Sequence, residues 1–150
     1  MTLKFGTSEL LESARENFVG RIASAVYPCN CEDCKKGVKA LEDMGQPAGE
    51  DRLHIQMKPL TVYTETQHEW LVPRKTIKSK WGAYNLKLEE LGVEIKSEDD
   101  LVDKVFEYES SVVKVGVRDS IAVCWLPIRV VSDKEAAKLE AERESEEVIV

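Results

Sequence analysis

A mainly β domain is expected from this sequence on three grounds. Segments rich in β-branched and aromatic residues recur between Pro and Gly punctuation, residues 52–58 alternate apolar and polar side chains, and within 52–131 residues 79–92 repeat apolar residues at helical steps. Five strands with one helix between the third and fourth give the element order of an OB-like, five-stranded Greek-key barrel.

The first strand is Phe18–Tyr27, closed by Pro28, with Gly20 marking a bend or bulge. Residues 1–17 precede it as an N-terminal extension, in which Ser8 caps a short amphipathic stretch carrying Leu10, Leu11 and Ala14. Residues 29–51 form an insertion: a cysteine cluster, a short helix near Lys36–Met44, and the loop GQPAGED. In the second strand Leu53, Ile55 and Met57 face a core while Arg52, His54, Gln56 and Lys58 point outward; Pro59 bends it and Leu60–Thr64 continue it. The third strand, His68–Val72, ends at Pro73.

Ser79 then caps a helix whose Trp81, Tyr84, Leu88 and Leu91 share one side, and Gly92 terminates it. After the acidic loop at 96–100, Leu101–Glu109 and Ser111–Val117 read as a hairpin-like fourth element. In the fifth strand, Ile121–Val131, Cys124, Leu126, Ile128 and Val130 lie on one side and Val123, Trp125 and Arg129 on the other. Residues 132–150 carry seven acids, three bases and no aromatic, so they read as a solvated, partly helical or disordered acidic tail. The OB-like domain is thus 18–131.

With 150 residues and 43% apolar content the chain fits one domain with a real core. No run of 18 apolar residues exists and the first residues lack the order of a secretory signal, so the expected location is the cytoplasm (the host cytoplasm if viral), away from membranes. In a reducing compartment four cysteines are thiols or metal ligands rather than disulfides. Cys29, Cys31 and Cys34 are close enough to share one tetrahedral Zn²⁺, with the fourth ligand open among His54, Cys124, His68 and water; free thiols are the alternative. Cys124 alternates with core residues and reads as packed.

Charge is unevenly placed. The chain is −7 overall, yet residues 52–87 hold seven Lys/Arg against two acids, and residues 88–109 hold nine acids against two bases. A local positive field beside aromatic rings suits a single-stranded nucleic acid, whose phosphates need cations and whose bases need flat faces. The candidate contacts are Arg52, His54, Lys58, Arg74, Lys75, Lys78 and Lys80, with Lys114, Arg118 and Arg129 on the later strands. Trp70 and Trp125 are the candidate stacking platforms, whereas Trp81 belongs to the helix's apolar stripe. There is no phosphate-cradling glycine loop, no G-x-S-x-G elbow and no H-E-x-x-H, so no enzymatic chemistry is expected.

Taken in order, FVGRI at 18–22, Glu69-Trp70, SKWG at 79–82, the LxxLG of Leu88–Gly92 and DLVDKVFE at 100–107 resemble a group of phage and archaeal single-stranded DNA-binding proteins with an OB-type barrel. The resemblance covers roughly residues 17–131 and implies sequence-tolerant binding during replication or recombination in a phage, archaeal virus or mobile element. Two departures stand out: Asp103 occupies the position of a usual glycine, and the cysteine insertion has no counterpart. The ending SEEVIV is similar to the acidic, apolar-tipped tails with which such proteins recruit replication or recombination partners, which makes Val148, Ile149 and Val150 candidate partner contacts. A homo-oligomer is compatible with this reading. The alternative is an OB-like protein-binding adaptor or inhibitor with an acidic face; a zinc-stabilised virion protein is a third option.

Overall fold

The computed structural model describes residues 15–32, 34–35, 51–73, 75–76, 78–116 and 120–148. The capped stretch at Ser8–Ala14, the helix near Lys36–Met44, most of the GQPAGED loop, Arg74, Arg118, Ile149 and Val150 lie outside them. The fold is mainly β: β1 (Phe18–Val26), β2 (Leu53–Pro59), β3 (Gln67–Leu71), β4 (Val105–Val115) and β5 (Ser120–Val130) form one antiparallel sheet in the order β3-β2-β1-β4-β5. The β3–β4 connection carries two helical elements, α1 (Lys80–Glu90) and a 3₁₀ turn at Glu98–Leu101, and α2 (Asp133–Val148) follows β5. No helix among the described residues is long and apolar enough to cross a membrane.

Several expectations change. Ladder closure into a barrel is absent among the described residues, since β3 and β5 are the sheet's outer strands. The fourth element is one continuous strand pairing with β5 from Phe106↔Val130 to Val115↔Ser120, because both strands stay β-rich throughout. Leu60–Thr64 do not extend β2; they form a bend with Val62 at φ 63°, which takes the chain out of extended geometry.

The local chemistry explains the elements. The Ser79 hydroxyl accepts from the Gly82 N–H at 2.9 Å and starts α1. Gly92, at φ +72°, ends it: the Val93 N–H reaches Leu88 O and the Gly92 N–H reaches Glu89 O, a Schellman closure. At Gly20 a Cβ would sit 2.7 Å from the buried Phe18 ring, so a side chain there would displace a core aromatic. Asp103 also adopts φ 72°, the left-handed region where a glycine is at ease and an aspartate is merely tolerated.

Phe18, Ile22, Ile55, Met57, Leu71, Tyr84, Phe106, Tyr108 and Trp125 form the main core. Trp125 is 2% exposed, edge-on to Phe18 at 4.8 Å, with the Arg15 guanidinium 3.7 Å from its ring centroid. It is therefore a core residue and not a stacking platform. The alternation expected in β5 fails there because Cys124 through Leu126 are buried in succession, covered from both sides.

Both outer strands are tied together by one side chain. Glu69 of β3 is 4% exposed; its Oε1 accepts from the Trp125 N–H of β5 at 2.6 Å, and its Oε2 accepts from the Trp70 N–H at 3.2 Å. The same Oε2 lies 2.5 Å from Lys80 Nζ at the start of α1. The carboxylate thus joins β3, β5 and α1 where no backbone ladder does.

The C-terminal segment is not a free tail. Ala136 of α2 is fully buried with Val19, Leu60, Val105 and Val131, and Leu139 packs against them. Arg143 donates to the carbonyls of Pro59 and Tyr63 at 2.7 and 2.6 Å, while Glu140 pairs with Arg21 at 2.6 Å and Glu135 with Arg129 at 3.0 Å. Two small apolar residues and complementary charges suffice to dock it. Val148 is the last residue of α2.

Two outcomes test this arrangement. Glu69→Leu strands Lys80 and the Trp125 N–H, and urea unfolding is expected to show a loss on the order of 3–5 kcal/mol, part of it restored by adding Lys80→Met. Asp103→Gly removes left-handed strain and should stabilise by roughly 0.5–1 kcal/mol in the same assay.

Candidate metal centre

Register brings the metal-binding residues together. His54 of β2 lies opposite Val26 of β1 and Trp70 of β3, at the end of the sheet where the chain leaves β1 for the insertion. The Cys29 N–H donates to Arg52 O at 3.1 Å, which fastens the departing chain to the start of β2. A helical turn, with the Lys35 N–H on Cys31 O at 3.0 Å, brings Cys31 and Cys34 to the same side.

The result is a compact Cys₃His group. The ligand atoms of Cys29, Cys31, Cys34 and His54 lie within 4.8 Å of one another. His54 Nδ1 is 3.5 Å from Cys29 Sγ, 3.4 Å from Cys31 Sγ and 4.0 Å from Cys34 Sγ, and the Cys31 and Cys34 sulfurs are 3.5 Å apart. A tetrahedron with Zn–S near 2.3 Å and Zn–N near 2.0 Å has edges of roughly 3.5–3.8 Å; three of these spacings are at that length and the Cys34–His54 one is slightly longer, so a zinc ion fits after a small contraction. These spacings are far too long for a disulfide, and none of the four cysteines is disulfide-bonded. Four protein ligands leave no open coordination position, which makes this a structural centre in type.

The ring beyond the ligands is equally ordered. His54 Nε2 lies 2.8 Å from His68 Nδ1, so with Nδ1 on a metal, Nε2 carries the proton and donates it to His68. Trp70 stacks on His54 at 4.8 Å and 20° and on His68 at 5.4 Å and 11°. Burial and the hydrogen-bonded thiols of Cys31 and Cys29 push the Cys34 thiol up to about 12. Without a cation the Cys34 thiol is therefore protonated, and a bound Zn²⁺ must displace that proton.

The fourth ligand left open by sequence is thus His54. It is buried, 1% exposed, and does not lie on an outward basic face. His68 stands behind it, and Cys124 is remote in the core, its thiol raised by burial and by Glu69. The signal for His54 was present in its strand position, but only the β1–β2–β3 register shows that it meets the cysteines. Sequence reasoning missed the outer role of His68 and the buried work of Glu69.

The expected nucleic-acid contacts separate into two groups. Arg52, Trp70, Lys80 and Trp81 line one open groove of about 330 Å³ with Val115 and Ala122, between the sheet, α1 and the β4–β5 hairpin. Lys75 lies beside Trp81 on the adjoining surface, and the Gly116 N–H donates to Lys78 O, which places Lys78 by the exposed Lys114 at the hairpin end. Lys80 is committed to Glu69. Lys58 is exposed at the other end of β2, opposite Arg21, and so lies away from the groove. Arg129 is held by Glu107 and Glu135 at 3.1 and 3.0 Å beside α2, which raises its pKa and neutralises it as a phosphate contact.

No family model, no curated protein and no solved structure matches this chain. Purified protein is expected to carry about one zinc per chain; metal analysis below half an equivalent would speak against the site. His54→Ala and Cys34→Ser should each weaken zinc binding at least tenfold in chelator competition. Because thiols must lose protons to bind, affinity should fall as pH is lowered.

Proposed function

We propose that the chain is a non-enzymatic, OB-like module that binds single-stranded DNA without marked sequence preference, its metal centre holding one wall of the binding groove. The observation that carries this reading is the groove itself: two half-buried tryptophans, Trp70 and Trp81, beside Arg52 in a chain whose net charge is −7. Indole faces supply stacking that any base accepts, and each stacked ring is worth about 1–3 kcal/mol. A local cation gives phosphate attraction despite the acidic whole.

Two further features support it. The order β3-β2-β1-β4-β5 is compatible with an OB barrel opened between its third and fifth strands, and the groove includes Arg52 beside strand two and Trp70 of strand three, strands on whose face such folds bind oligonucleotides. Asp103, standing where the resembling proteins have glycine, takes a glycine-like φ of 72°. The platform set differs from the sequence expectation in that Trp125 is buried; Trp81 packs against the core as expected and also lines the groove, and the contributing cations are Arg52 with Lys75 and Lys114 on the adjoining surface.

Titration with oligo-dT at about 50 mM salt should quench tryptophan emission, with affinity falling steeply as salt rises. Trp70→Ala should weaken binding by roughly 5- to 150-fold, and Arg129→Ala should leave it unchanged. Undetectable dT binding at that salt, with a protein co-purifying instead, would replace this reading with the adaptor alternative.

A further inference from the structure

We propose that metal occupancy of the Cys29, Cys31, Cys34 and His54 centre controls the strand affinity of the groove through Trp70, with His68 as the positioning residue; this inference rests on the binding reading above. The two sites have no residue in common, but two groove residues touch the metal site directly. Trp70 lines the groove, and its ring stacks on the ligand His54 at 4.8 Å. Arg52 also lines the groove, and its carbonyl holds the Cys29 N–H at 3.1 Å. Each wall residue is therefore fastened to the metal site by a direct contact.

The physical link is restriction of rotation. A cation on His54 Nδ1 fixes the imidazole plane, and the 2.8 Å hydrogen bond from Nε2 to His68 Nδ1 fixes it from the other side. Trp70 then packs against a pair of rings that cannot turn, and the indole is presented to a base already ordered. Without the cation, the three sulfurs meet His54 Nδ1 only through contacts of 3.4–4.0 Å that are weaker than coordination bonds, and the stack has a softer anchor. A strand binding to an ordered Trp70 gives up less conformational freedom, which is positive coupling between the two ligands.

Coupling is reciprocal, so it is measurable on the folded, metal-bound protein. Zinc affinity is measured by competition with a chromophoric chelator, with and without saturating dT oligomer. We expect dT to tighten zinc at least fivefold. Trp70→Leu should retain zinc, with the thiolate-to-metal absorption of the Co²⁺-substituted protein unchanged, but lose the dT effect. His68→Ala should weaken zinc roughly 10- to 100-fold, and His68→Gln, which keeps an acceptor, should recover most of it. Zinc affinity indifferent to bound dT, or a dT effect that survives Trp70→Leu, overturns the coupling while the binding reading stands. Equal zinc affinity in His68→Ala removes the role of His68. A zinc-loaded chain that binds no dT sinks the binding reading itself, and this inference with it.

Discussion

The buried carboxylate of Glu69 gives the two outer strands and α1 a polar tie beside the apolar core they share. It sits in the strand that ends the sheet, yet it accepts the Trp125 N–H of the opposite outer strand and pairs with Lys80 at the start of α1. A charge at this depth is tolerated only because each oxygen has a donor and a cation lies against it. Once Glu69 points inward, the period of two in β3 sends His68 and Trp70 to the other face, where His54 lies opposite. One strand thus closes the core with one residue and builds the candidate functional surface with its neighbours.

That division of labour sets the candidate metal centre against the groove residue Trp70. The cysteine insertion returns to the sheet at Arg52, and the ligand His54 follows two residues later, so the loop, the metal ligand and a groove cation are set by one short segment. Zinc in such a site would cross-link the chain leaving β1 to the start of β2, with four protein ligands filling its coordination. The geometry suits scaffolding for Trp70 better than a reaction centre.

Charge is partitioned by the same logic. The acids of α2 are spent partly on Arg21 and Arg129 on the body of the domain, and Arg143 satisfies two loop carbonyls, so this helix is held by polar contacts around a small apolar seat at Ala136 and Leu139. Individually such exposed pairs are weak, about 0–1 kcal/mol, and their joint geometry with the buried Ala136 fixes the position. Arg129, a phosphate contact in the sequence expectation, is paired with Glu107 and Glu135 beside α2.

Local features could be read directly from the chain: the strand-rich order, α1 with its Ser79 cap and Gly92 stop, and the trio of cysteines spaced for one metal. They are legible because they follow from neighbours in sequence, through backbone propensity, capping chemistry and ligand spacing. Which distant residues meet emerged only on folding. Outward-looking His54 became the fourth ligand, Trp125 went into the core, Trp81 reached the groove, and the acidic end docked as a helix. Each depends on strand register or on a partner element, and a one-residue shift in register would turn His54 from the cysteines to the opposite face. Periodicity gives a side chain two faces to choose from; the element that covers each face decides which is buried.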